Sequence, residues 1–383
     1  MIRKTEQPGY VLVLSLMIIA LVVAIVTSLA DRGGVHARYL QLVINREKAK
    51  ILAWSGVQIA MSQLAHAGDL PEPKEGATPE KKDKEGAKQD SNGQAKQTVV
   101  TLLPILNNWQ TFRLKKKNDG VKGQIKVCIS SEEGKINLNH VFDFKKKKFL
   151  NEGAKTLRQA QGRRQIDYKK YFQELFKTIG NIAGMGNLFG PFEKFLKARQ
   201  TKLQDVTELL TIKEFESFRD NIFYQPDDAQ VTDETGKLKQ TIYLQDIFTL
   251  WSFQKELDPW FLSHSHKVLF GLKEKKQEGK FPDEKKLQEK LKNFSTNMEF
   301  PKGWDQLLAP IYGKKFDVLP KEMRAALGGK FEPRLFSVLS YGTVGGVTQK
   351  MLVILKRVQT TSKDSTGKSV TSFEFSAKKF YWL

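Results

Sequence analysis

The sequence predicts an α+β fold: a long N-terminal transmembrane and spine helix packed on an antiparallel sheet, with a large α-helical domain inserted into that sheet. Three observations predict it. Tyr10–Ala30 is a run of 21 residues without a charge, and it leads straight into an amphipathic helical pattern. Segments near 123–139 and 331–383 alternate apolar and polar residues with period two, as half-buried strands do. Between them, 143–330 reads as a series of short helices.

The uncharged run spans about 31 Å as a helix, close to a hydrocarbon core of roughly 30 Å. Arg3 and Lys4 precede it against Glu6, which favours keeping the first nine residues in the cytoplasm and placing everything after Asp31 on the far side. It is too long for the apolar core of a cleaved signal peptide. Residues 31–67 continue it as a spine helix, with Leu40, Ile44, Ile51, Trp54, Val57, Met61 and Leu64 recurring at three-, four- or seven-residue spacing on one face. Gly33–Gly34 is a weak point of about 1 kcal/mol per glycine where this helix leaves the bilayer.

Residues 68–97 hold Leu70 as the one large hydrophobe, so they are expected to form a disordered charged loop. The first part of the sheet follows over 98–142. Ile125, Val127 and Ile129 alternate with Lys126, Cys128 and Ser130. A turn at Ser131–Gly134, with glycine for a positive φ, is predicted to lead into a second strand through Ile136 and Leu138, making a hairpin. In the inserted region YKKYFQELFKTIG, FEKFLKARQ, LQDVTELLTIKEFESFRDNIF, IYLQDIFTLWSF and EKKLQEKLKNFS read as helices. Residues 331–383 complete the sheet as a three-stranded meander with turns at Gly345–Gly346 and Lys363–Gly367.

The net charge is +21 and the pI about 9.7, but the lysines are spread along the chain and interleaved with acids. That is the composition of a solvated basic surface rather than a stripe built for nucleic acid. One cysteine, Cys128, excludes a disulfide framework and a multi-thiolate metal site. His264 and His266 are the one close histidine pair, at a spacing that would suit a strand-borne metal site but with no third ligand nearby. No phosphate loop or nucleophile motif is present, so no enzyme activity, catalytic residue, metal or cofactor is expected.

The start of the chain resembles type IV pilin-like proteins: a short basic leader, residues 1–9, ends in Gly9, and the apolar helix begins at Tyr10. In that family a prepilin peptidase cuts after the glycine and methylates the new N-terminus, which implies those roles for Gly9 and Tyr10. Most members carry a glutamate at the fifth mature position, where this chain has Leu14. The K-type minor pseudopilins of type II secretion (general secretion pathway protein K) typically lack it. Gly134-Lys135-Ile136-Asn137-Leu138-Asn139 also resembles their turn-and-strand motif, and the insertion resembles their helical domain. The resemblance is strongest over 1–66 and 122–142. It departs in the insertion, where the family's acidic calcium-binding stretch has no counterpart: Asp227-Asp228 and Asp233-Glu234 lack such spacing.

The resemblance implies a single-pass protein of the bacterial inner membrane, with a periplasmic soluble part, sitting at the tip of a pseudopilus and serving protein secretion across the outer membrane. The implied partners are I- and J-type minor pseudopilins, prepilin peptidase, the inner-membrane assembly platform and membrane lipid. Leu14 and the stripe from Leu40 to Leu64 are the expected partner-helix contacts. A DNA-handling minor pilin of a type IV pilus or competence system is the alternative, favoured by the basic charge.

Overall fold

The computed structural model describes residues 8–66, 99–153, 166–225, 241–272, 300–328, 331, 333–363 and 369–383. The fold class read from the sequence is the one observed. A single helix, α1, runs from Pro8 to His66, 59 residues, or about 88 Å. It passes through Gly33 and Gly34 without a break, and a Cβ at either would meet nothing within 4 Å. Its apolar stretch is long enough to cross a membrane by length and composition and is wholly unburied. Residues 31–44 are also exposed, so about 20 Å of helix separates the span from the sheet.

The strands in chain order are β1 (Trp109–Leu114), β2 (Gly123–Ser131), β3 (Ile136–Asn137), β4 (Phe142–Asp143), β5 (Lys148–Phe149), β6 (Phe248–Thr249), β7 (Leu335–Val344), β8 (Val347–Lys363) and β9 (Ser369–Trp382). Five of them form one antiparallel sheet in the order β1-β2-β7-β8-β9. The hairpin between β7 and β8 turns at Gly345 and Gly346, whose φ values of +55° and +81° suit the tight primed turns that match strand twist. Strands β7, β8 and β9 are thus the three antiparallel strands expected over 331–383, and the expected turn at Lys363–Gly367 lies, beyond Lys363, outside the described residues.

Helix α1 lies across β2, β7 and β8, at close range. Its sheet-facing side is made of small residues, Ala49, Ala53, Gly56 and Ala60, flanked by Leu52, Val57 and Leu64. A Cβ on Gly56 would stand 2.1 Å from Ser340 Oγ, and one on Gly342 would stand 2.1 Å from the Ala49 carbonyl. Both glycines are present because nothing larger fits between the helix and the sheet.

The chain leaves the sheet after Ser131 at the end of β2 and returns at Leu335 in the neighbouring β7. What lies between is a layer of short helices held by aromatic packing. The helix Tyr168–Ala183 is capped by Asp167, whose carboxylate accepts from the amides of Lys169 and Lys170, and it stops at Gly184 in the left-handed conformation. It packs with the helix Phe189–Ala198 through Phe172, Phe176 and Phe192, and Phe149, Phe215 and Phe248 join the same stack at ring separations of 4.8–6.4 Å. Much of the phenylalanine content is thus spent on a second core, continuous with the one under α1.

Several local expectations are corrected. The segment 203–223 forms 3-10 turns, Val206–Thr211 and Lys213–Asn221, because an Asp205–Glu208 capping box starts the first and extended Ile212 interrupts the run. IYLQDIFTLWSF gives one helical turn, Leu244–Ile247, and then strand β6. The predicted hairpin between β2 and a strand through Ile136–Leu138 does not form. Ile136–Asn137 instead pair in parallel with Phe248–Thr249, Leu138–Val141 turn into a helix, and β2 takes β1 and β7 as its neighbours. The 68–97 loop, the EKKLQEKLKNFS segment, Asp227, Asp228, Asp233 and Glu234 lie outside the described residues.

Candidate functional site

The residues singled out by sequence fall in three places. The first is the start of α1. Gly9 and Tyr10 lie in its opening turns, and Leu14 follows inside the span, 46% exposed.

The second is the spine. The expected stripe does not act as one face. Val57 and Leu64 are buried against the chain's own sheet, at 0% and 1% exposure, and Met61 is half-buried on the same core. They are intramolecular core residues and not partner contacts. The reason is angular: at 100° per residue, Val57 and Leu64 belong with Ala49, Ala53 and Ala60, whereas Ile51 and Trp54 point well away from that line. Leu40, Ile44, Ile51 and Trp54 stay exposed, at 59%, 46%, 64% and 38%. Trp54 packs on Phe380 of β9 with ring centroids 5.6 Å apart. Phe380, Trp382 and Leu383, all large and exposed, carry the apolar surface from the helix onto the edge strand. Sequence reading missed this extension. The closing Phe-Tyr-Trp-Leu was a visible signal, but its alternation does not say which face of β9 meets the helix.

The third is the Ser131–Asn139 motif, which is the joint between sheet and insertion. Gly134 closes a 3-10 turn, Glu132–Gly134, and is absent from the glycines of positive φ. The expected conformational reason is therefore wrong. A Cβ on Gly134 would lie 1.7 Å from the Phe261 carbonyl oxygen, so glycine is required by the closeness of another backbone. Lys135, buried, donates from Nζ to Glu132 Oε1 at 2.5 Å and to Ser337 Oγ of β7 at 2.9 Å. The other Glu132 oxygen accepts from the Thr249 hydroxyl of β6. Asn137 donates from Nδ2 to the Ser252 carbonyl at 2.5 Å and accepts the Asn139 amide at 2.9 Å. Asn139 makes a two-way bridge with the backbone of Leu203, both contacts at 2.9 Å. Lys135 thus ties the motif to β7 of the sheet, while Glu132, Asn137 and Asn139 tie it to the Thr249–Ser252 and Leu203 segments of the insertion. Ile136 and Leu138 are buried between them.

Glu133 sits at the same joint. Its Oε1 accepts the amides of Arg334 at 3.1 Å and Leu335 at 3.0 Å, where the chain re-enters the sheet, and its Oε2 accepts from Ser131 Oγ at 2.9 Å. A cavity of about 20 Å³ beside Glu132 and Lys135, lined also by Asp205, Thr249 and Tyr381, is too small for an organic ligand.

The remaining reactive side chains are locked into structure. Burial pushes the Cys128 thiol up to about 12, which leaves no thiolate for chemistry. His264 and His266 lie on the helix His264–Leu269, not on a strand, so two residues apart they face different ways. His266 is buried, pulled down to about 4 by loss of water, and its Nδ1 meets Ser263 Oγ at 3.1 Å. Among the described residues no three His, Cys, Asp or Glu side chains are grouped to hold a metal ion.

In comparisons with known proteins, no family model matches the chain, and no curated protein matches it. Among solved structures it is similar to a chain of the GspK-GspI-GspJ complex from the enterotoxigenic Escherichia coli Type 2 Secretion System, at 13% identity over 76% of this chain and 94% of that chain, with a TM-score of 0.33.

Proposed function

We propose that this chain is a K-type minor pseudopilin that caps the pseudopilus of a type II secretion system. The observation that carries the reading is the double-faced spine. An unbroken helix emerges from an apolar span, buries one side under its own sheet, and keeps Leu40, Ile44, Ile51 and Trp54 bare on another. A helix that is apolar on two sides has one side left for other chains. The sheet interrupted by a bulky insertion supports an end position, since such a layer is harmless at a filament tip and obstructive inside a tightly wound shaft. Leu14 supports it too, because a subunit without the usual acid makes one inter-subunit charge contact fewer.

In this reading prepilin peptidase removes residues 1–9 and methylates Tyr10. The N-terminus is cytoplasmic and the soluble part periplasmic, and I- and J-type minor pseudopilins cover the bare spine. The role is assembly rather than catalysis. The test is co-purification of residues 31–383 with I- and J-type partners. Association of the three supports the tip assignment; no association, or labelled protein along whole filaments, refutes it. The basic charge keeps the DNA-handling minor pilin as the second reading. It requires DNA affinity that falls steeply with salt, which a filter-binding titration measures.

A further inference from the structure

We propose that Glu133 is an acid-tightened latch at the joint where the inserted layer leaves and rejoins the sheet, holding that joint closed best while uncharged and releasing it on ionisation. The geometry places this one carboxyl where the chain both leaves and re-enters the sheet. It bonds to Ser131 at the end of β2 and to the amides of Arg334 and Leu335 at the start of β7, while its own carbonyl accepts the Asp258 amide of the insertion at 2.8 Å. Its exposure is 1%.

The donors to the carboxyl, the Ser131 hydroxyl and the amides of Arg334 and Leu335, are neutral. On its own segment, Lys135 is committed to Glu132 and Ser337. From the insertion, Asp258 faces it and opposes a second negative charge. On the returning strand it is the backbone of Arg334 that reaches it, the Arg334 side chain being exposed, and Arg357 of β8 donates its amide to the Arg334 carbonyl at 2.8 Å. The uncharged acid also satisfies the site. Oε2–H can donate to Ser131 Oγ while Oε1 keeps both amides, so protonation costs no hydrogen bond and ionisation costs the desolvation of a charge.

Burial pushes Glu133 up to about 8 from the ordinary 4.5. The closed joint therefore keeps a proton that an opened, hydrated joint gives up. Stability of the joint is full below 4.5, falls as pH rises toward 8, and is level above it. Buried His266 works in the opposite direction, with its effect confined to the range between about 4 and 6.5. The window from pH 6.5 to 8 isolates Glu133, and over it the opening constant should rise about 15-fold in all, with the slope flattening as pH 8 is reached.

Hydrogen exchange of the full-length chain in detergent, corrected for base-catalysed chemical exchange, reads this opening at the amides of 334–335 and 258–263. The expected result is that rise in the wild type, a flat profile in Glu133→Gln, and no rise at the β7–β8 turn. Ser131→Ala removes a hydroxyl that favours the charged form, so its rise should continue beyond pH 8. A flat wild-type profile overturns the latch, as does a slope that Glu133→Gln retains. If Glu133→Gln does not fold, Ser131→Ala decides: a rise extending past pH 8 supports the proposal, and an unchanged end-point overturns it.

Discussion

Placing a carboxylate on each side of the spine separates its two apolar faces. Val57 is fully buried under the sheet. Val57→Glu forfeits about 1.5–3 kcal/mol of apolar burial and inserts an unpaired charge costing a further ~3–5 kcal/mol. The sum, on the order of 5 kcal/mol or more, rivals the whole stability of an ordinary domain, about 5–15 kcal/mol. Ile51 is six positions back along the same helix and 64% exposed. Ile51→Glu should change stability by no more than about 0.5 kcal/mol. Thermal unfolding of both variants in detergent measures the difference: a collapse or a large fall in Tm for Val57→Glu, and a Tm near wild type for Ile51→Glu. Partner capture then reads the second face. Ile51→Glu should weaken association with I- and J-type subunits by about 2 kcal/mol or more, roughly 30-fold. Equal destabilisation by the two changes would refute the facing of α1 against the sheet. Undiminished capture by Ile51→Glu would refute the bare stripe as the partner surface while leaving the fold intact.

Gly134→Ala should lower stability by about 1–3 kcal/mol or more, since its Cβ would collide with the Phe261 carbonyl; chemical denaturation followed by tryptophan fluorescence measures it. Lys135→Met leaves Glu132 buried with its charge uncompensated and should cost about 3–5 kcal/mol, whereas the double change Glu132→Gln with Lys135→Met should cost less than Lys135→Met alone. A double-mutant cycle that is additive within 0.5 kcal/mol would contradict that coupling. The intact mass of protein extracted from membranes should lack residues 1–9; a mature form starting at Met1, or near Ala30, would contradict the leader.

The helical anchor, the half-buried strand at Ile125–Ile129 and the closing meander were legible because each depends on a local period: an uninterrupted apolar run, alternation by two, glycine pairs at a turn. Local periods are written in neighbouring residues, so a reader needs nothing else. The Ser131–Asn139 motif was legible as a motif and misread as a hairpin, since Glu132, Lys135 and Asn137 are satisfied by Thr249, Ser337 and Ser252, more than a hundred residues away. Polar residues in an alternating run look solvent-facing until partners from elsewhere remove the water. The spine stripe failed in a related way. Spacing by three, four and seven collects residues over a wide arc of a helix, and only the sheet determines which part of that arc is covered. Val57 and Leu64 went under β2 and β7 because Gly56 and Gly342 let the helix descend there, while Leu40, Ile44, Ile51 and Trp54 were left outside. Sequence alone thus determined that this helix continues past the span with an apolar stripe, which its spacing presents as one face. Tertiary packing decided which side is buried in the fold and which remains exposed, because burial is a property of what lies opposite a residue rather than of the residue itself.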